Sequence, residues 1–189
     1  MFCTANTLNI STKTYFLWLE PSGKIYELLA TTIAHLSQAH GGPLFAPHVT
    51  LLGDIAGQEG KLINKTKKLA RALSPFDLTL TVPAFQDQYF RCLFMRVKET
   101  STLLEAHRLA RKVFHKEGAP LYVPHLSLLY GSYPRSLKEQ IIGTLSTSLS
   151  MQFTASAVTL FRIEGNSPKD WCKVQMFSFR GHDKQESSD

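Results

Sequence analysis

The chain is poor in cysteine. Its three, Cys3, Cys92 and Cys172, are an odd number without metal-type spacing. That argues against a disulfide framework and for a reducing compartment. Long hydrophobic runs are also lacking. No stretch approaches the roughly 20 apolar residues that cross a bilayer. The opening MFCTANTLNISTK has no basic segment followed by an apolar core, so it does not read as a secretory signal. Together these absences lead us to expect a cytoplasmic protein with no membrane attachment. Two catalytic signatures are missing too. There is no G-x-S-x-G and no Gly-rich loop to cradle phosphates, so serine-hydrolase and nucleotide-kinase readings have no support. Charge is present without dominating: 21 basic and 15 acidic residues give a net charge of +6. That balance suits an anionic ligand or RNA without requiring either. At 43% hydrophobic and 11% aromatic, the 189 residues suffice for one domain with a sizeable core.

What the chain does contain is a phrase that occurs twice. Leu44-Phe45-Ala46-Pro47-His48-Val49-Thr50-Leu51-Leu52 returns as Leu121-Tyr122-Val123-Pro124-His125-Leu126-Ser127-Leu128-Leu129, at a constant offset of 77 residues (48 to 125). Leu, Pro, His, Leu and Leu recur in place, and the other four positions exchange like for like. The offset is too long for a solenoid and suits two halves of a duplicated domain. In a strand, residues i and i+2 share a face. His48 and Thr50 therefore share one face and Val49 and Leu51 the other. His125 and Ser127 are paired in the same way, backed by Leu126 and Leu128. A proline before a strand is tolerated at its first residue. One strand histidine usually packs as a structural residue, but packing gives no reason to keep a His and a hydroxyl together in both copies.

Periodicity sets out the rest. A polar arm at 1–13 precedes a strand at 14–19, and Glu20-Pro21-Ser22-Gly23 ends that strand. Helical spacing covers 24–39, and His40-Gly41-Gly42-Pro43 breaks it before the first motif strand at about 47–55. A basic amphipathic helix follows at 59–73, then strands at 76–83 and 89–98. The second half repeats the plan: a helix at 100–117, the second motif strand, a helix at 135–148, strands at 153–164 and 171–180, and a disordered tail at 181–189. The expected class is α+β and bilobal. Each of two pseudo-symmetric lobes has a mainly antiparallel sheet with outer helices, and the active-site cleft lies between the facing sheets.

Two imidazoles and two hydroxyls converging on one cleft suit a phosphate. The hydroxyls donate to non-bridging oxygens. One neutral imidazole takes a proton from water, and the other, protonated, gives one to the departing oxygen. Histidine titrates near neutrality, so both roles are within reach. No cofactor and no metal is needed in this scheme. No Cys, Asp or Glu sits at ligand spacing beside either motif, which disfavours a zinc site on His48 and His125.

The paired His48-Val49-Thr50 and His125-Leu126-Ser127 resemble the H-x-T/S signature of the two-histidine phosphoesterase superfamily. The likeness is greatest to its plant and yeast cyclic phosphodiesterase branch. Tyr15-Phe16-Leu17-Trp18, Phe90-Arg91-Cys92-Leu93-Phe94, the run from Tyr122 to Tyr130 and the late Trp171 extend it over roughly 14–180. The resemblance implies a bilobal fold and metal-independent hydrolysis of nucleoside 2′,3′-cyclic phosphates or ADP-ribose 1″,2″-cyclic phosphate, leaving a 2′-type monoester. It implies His48 and His125 as the acid–base pair and Thr50 and Ser127 as phosphate ligands. Tyr130 would line the pocket, and Trp18 and Phe90 would stack on a base. The chain departs from the plant proteins in its N-terminal arm, in the turn Gly53-Asp54-Ile55-Ala56-Gly57, and in its lack of a full cysteine set.

Other readings stay open at this level. Trp18 and Phe90 could equally pack in the core, and Trp171 reads as core. His107 and His115 fall on one helical face with Arg108, Arg111 and Lys112, which reads as a solvated basic surface. RNA ends or 2′-5′ oligonucleotides are an alternative substrate class, supported only by the basic helices. A non-catalytic nucleotide- or RNA-binding module is a third. The expected partner is a small cyclic phosphate, and the expected state a monomer.

Overall fold

The computed structural model describes residues 13–118, 121–145, 151–165 and 167–180. The expected arm, apart from Lys13, and the expected tail lie outside the described residues. So do residues 146–148 of the helix expected at 135–148.

β1 (Thr14–Leu19) shows how the sheet is built. Tyr15, Leu17 and Leu19 join the hydrophobic core. Thr14, Phe16 and Trp18 alternate onto the opposite face and line a cavity. Helix α1 (Gly23–His40) buries Leu29 and Ile33 and ends at Gly41 with φ 76°. This left-handed residue sends its amide back to the Ser37 carbonyl at 2.8 Å. Then come β2 (Val49–Ile55), α2 (Glu59–Arg71), β3 (Phe76–Phe85), β4 (Leu93–Val97) and α3 (Ser101–Phe114). They are followed by β5 (His125–Leu129), α4 (Arg135–Leu145), β6 (Met151–Ala155), β7 (Ala157–Ile163) and β8 (Trp171–Ser178). Leu17, Leu19, Val49, Leu51, Leu126 and Leu128 are fully buried. Each such side chain contributes about 1.5–3 kcal/mol relative to exposure, so the backs of both motif strands are firmly anchored.

The α+β class, the antiparallel pairing and the two helix-backed halves are as the sequence leads one to expect. The join between the halves is different. The eight strands of the described residues form one sheet in the order β6-β3-β4-β5-β2-β1-β7-β8, rather than two sheets facing each other. The halves meet edge to edge where Val49 pairs with Leu126, just after each motif histidine. Beyond that pair, the β2 carbonyls turn to side chains. Tyr122 Oη donates to the Thr50 oxygen at 3.0 Å, and His107 Nδ1 bonds the Leu51 oxygen at 2.7 Å.

The halves also differ from the two ends of the chain. β7 and β8 complete the half that holds β1 and β2, whereas β3 and β6 complete the half that holds β4 and β5. The crossing occurs at Ser156. The strand expected at 153–164 is two strands there, β6 on β3 and β7 on β1. Its burial phase slips at the break, from Phe153 and Ala155 to Val158 and Leu160. A continuous apolar pattern says nothing about which neighbour a strand will choose. The helices cross as well: α1 packs on β5, and α3 on β2. Finally, the strand expected at 89–98 starts later. Tyr89–Arg91 is a single 3₁₀ turn, which takes Phe90 out of the ladder and leaves it exposed.

Candidate active site

The two Pro-His steps set the geometry. Proline fixes its own φ and holds the residue before it extended. The carbonyl two residues before each histidine is thereby presented to the ring. His48 Nδ1 meets the Ala46 oxygen at 2.7 Å and His125 Nδ1 meets the Val123 oxygen at 2.9 Å. A carbonyl only accepts, so each Nδ1 carries the proton of its bond. In the neutral rings Nε2 is left as the nitrogen free to exchange protons. Both rings line one cavity of about 1090 Å³, together with Thr50 and Ser127.

The two sites differ in their surroundings. His48 is 7% exposed and lies flat on Trp18, with ring centroids 3.6 Å apart and planes within 10°. Trp18 in turn stacks on Phe161 at 3.7 Å. Burial drives the His48 pKa from 6.5 down to about 4; the Ala46 bond opposes this, and the charge of His125 adds to it. His125 is half-buried, and among the described residues its ring contact is with Phe94, edge-on at 5.2 Å. Burial lowers its pKa as well, against the Val123 bond and with help from the Arg91 guanidinium. Burial thus favours the neutral form of both imidazoles in the free protein.

The hydroxyls stand beside them. Thr50 is half-buried on the cavity side of β2. Ser127 is buried and its Oγ donates to the Phe90 carbonyl at 3.1 Å. Tyr130 is buried against Phe45 at 3.8 Å. Burial pushes its phenol above the ordinary range, and a hydrogen bond with Ser127 pulls it back.

Of the aromatic candidates, Phe90 is 42% exposed and touches the edge of Tyr130 at 5.3 Å. Trp18 is 3% exposed. Its stacked neighbours, His48 just before β2 and Phe161 on β7, leave no free ring face for a base, so its visible part is to hold His48. Trp171, expected in the core, is half-buried and lines the cavity. It stands 5.6 Å from Trp18, 6.0 Å from Tyr130 and 6.1 Å from Phe90. It opens β8 after a turn, a position that no periodicity marks. Arg91, which no motif marks, also lines the cavity, close enough for His125 to feel its charge. Its one signal was its place beside Phe90. His107, expected on a solvated basic face, is buried, with its ring stacked on Tyr122 at 3.9 Å. Among the described residues no group of three or more His, Cys, Asp or Glu could hold a metal, and no helix is long and apolar enough to cross a membrane.

Known proteins share this fold. The model of the cyclic phosphodiesterase-like protein family matches residues 14–171. A cyclic phosphodiesterase of Arabidopsis thaliana is 25% identical over 129 residues, which is 66% of this chain and 69% of that protein. A 2′,3′-cyclic-nucleotide 3′-phosphodiesterase of Yarrowia lipolytica is 28% identical over 106 residues. That match spans 52% of this chain and about half, 49%, of the yeast protein. Among solved structures, a Thermus thermophilus protein superposes with a TM-score of 0.65 at 17% identity, covering 89% of this chain and 99% of its own. E. coli LigT complexed with 3′-AMP does so with 0.63 at 14%, covering 88% and 98%. Those two likenesses establish the fold. The family match covers most of the chain, and the chain belongs to the cyclic phosphodiesterase-like family, enzymes on the two-histidine phosphoesterase fold.

Proposed function

We propose that the protein hydrolyses nucleoside 2′,3′-cyclic phosphates, ADP-ribose 1″,2″-cyclic phosphate, or both, by acid–base catalysis between His48 and His125. One observation carries the reading: both rings are tied through Nδ1 to the carbonyl two residues upstream, so two Nε2 atoms serve one cavity. A water oxygen forms a bond to phosphorus while one neutral imidazole takes its proton. The ring P–O bond breaks, and the departing ribose oxygen takes a proton from the other, protonated imidazole. Thr50 donates to a non-bridging oxygen, Ser127 does the same once its hydroxyl turns from the Phe90 carbonyl, and the Arg91 charge opposes that of the phosphate. The product is a monoester. The Yarrowia relative is named for acting on the 3′ bond of such rings, which supports a phosphate left on the 2′-type oxygen. A LigT structure holding 3′-AMP supports a ligand of nucleotide size.

A bound phosphate anion stabilises an imidazolium beside it. The acid is therefore charged more readily in the complex than in the free enzyme. The alkaline limb of kcat lies at higher pH than that of kcat/KM, which reports free enzyme and falls as pH rises through the lowered pKa.

The test is a panel of cyclic phosphates followed by phosphorus NMR, with and without chelator. Ring opening to a 2′-monoester that survives chelation is the expected result. Binding without turnover of every member would overturn the reading in favour of a nucleotide-binding module.

A further inference from the structure

Among the described residues Lys138 is the one lysine or arginine that is buried, with 2% of it exposed. Burying an ammonium costs desolvation. This one also sits in the first turn of α4, where the helix dipole disfavours a cation. A position that is unfavourable twice over calls for compensating partners, and they are present. Lys138 Nζ donates to the Gln86 carbonyl at 3.3 Å and pairs with the Asp87 carboxylate. It also stands over the Phe85 ring, 4.9 Å from its centroid. All three partners lie where β3 ends. Phe85 closes the ladder against Leu93 on β4, and residues 86–92 connect the two strands.

That connection carries Phe90 and Arg91 to the cavity. Little apolar burial holds it, because Asp87, Gln88, Tyr89 and Phe90 are all exposed. Hydrogen bonds hold it instead. The Gln86 amide donates to the Arg91 carbonyl at 3.0 Å, which closes the loop on itself and makes Gln86 and Arg91 neighbours. On the cavity side, the Gly131 amide donates to the Tyr89 carbonyl at 3.1 Å, and Ser127 Oγ to the Phe90 carbonyl at 3.1 Å. The Ser127 tie is given up when that hydroxyl turns to a phosphate. The grip of Lys138 on Gln86 and Asp87 is independent of the ligand, since Lys138 does not line the cavity.

We propose that Lys138 is a positioning residue for Arg91. Through Gln86 and Asp87 it fixes the 86–92 loop, so Arg91 keeps its place beside His125 after Ser127 lets go of Phe90. The proposal rests on the reading above for the catalytic end.

The experiment compares wild type with Lys138→Met, Arg91→Gln and the double variant. The Asp87 side chain is 89% exposed, so Lys138→Met strands no buried charge. NMR follows the titrations of His125 and His48, and steady-state kinetics uses a 2′,3′-cyclic phosphate. The charge that reaches His125 is that of Arg91. Loosening the loop should therefore move the His125 titration upward, as Arg91→Gln does, with His48 unmoved. In Lys138→Met kcat/KM should fall by up to about 100-fold, the cost of misplacing a group in the site by an ångström. On top of Arg91→Gln, Lys138→Met should change neither readout further. Asp87→Asn, a surface change, should move both in the same direction by less. A wild-type His125 titration in Lys138→Met, or a kcat/KM loss that persists in full on top of Arg91→Gln, overturns the proposal and leaves Lys138 a structural residue. If wild type turns over no cyclic phosphate, the catalytic reading has failed instead. The His125 titrations of the same variants then decide the role of Lys138 alone.

Discussion

The two halves carry the same motif, yet they hold it differently. On the β2 side, His48 is sealed under Trp18, which Phe161 backs in turn. On the β5 side, His125 has one edge contact and the Arg91 charge for company, and the exposed Phe90 lies nearby. The anchoring bond from Nδ1 to the upstream carbonyl is common to both. What duplication preserved is therefore the orientation of the ring. What diverged is its solvation, and with it the pH at which each ring takes a proton.

The harshest way to break the comparison is to remove each ring in turn. His48→Ala and His125→Ala should each lower kcat by about 10²–10⁴-fold. The double variant should be little worse than either, because the two act as one unit. Steady-state kinetics on a 2′,3′-cyclic phosphate checks this, and a large loss in only one variant would mean the halves are not equivalent in chemistry.

Trp18→Ala tests the sealed side alone. Losing a buried indole should cost about 3–5 kcal/mol in a denaturant titration. His48 should then titrate closer to 6.5 by NMR while His125 stays where it was.

The same asymmetry appears in stability against pH. Between pH 6.5 and about 4 the unfolded chain protonates at His48 and the folded chain does not. Stability is thus full above 6.5 and is lost as pH falls through this window, by up to about 3 kcal/mol. Thermal melts across pH 4–7 should show the loss, and His48→Gln should flatten it. The smallest effect belongs to the open side. Arg91→Gln should move the His125 titration upward, with His48 unmoved.

Much of the site could be read before any fold was known, because a strand has period two. That period puts His48 with Thr50 and His125 with Ser127, and the buried backs at Val49, Leu51, Leu126 and Leu128 follow it. Trp18 could be read as an aromatic on a strand but not as the cover of His48, since that contact crosses from β1 to the residue that leads into β2. Trp171 and Arg91 reach the cavity from opposite halves of the sheet. His107 looked like part of a basic helical face, yet it turns inward to a β2 carbonyl left without a strand partner.

The sequence by itself determined the local parts: the doubled Pro-His-x-hydroxyl, the face each residue takes, and the ring anchoring that proline imposes. Those depend on bond geometry within a few residues. The tertiary structure alone decided that there is one sheet, that the chain crosses between halves at Ser156, and that one imidazole is sealed while the other stays open. Those outcomes depend on which strand edge meets which, and residues such as Trp18 and His48, thirty positions apart in the chain, settle it only once they are packed.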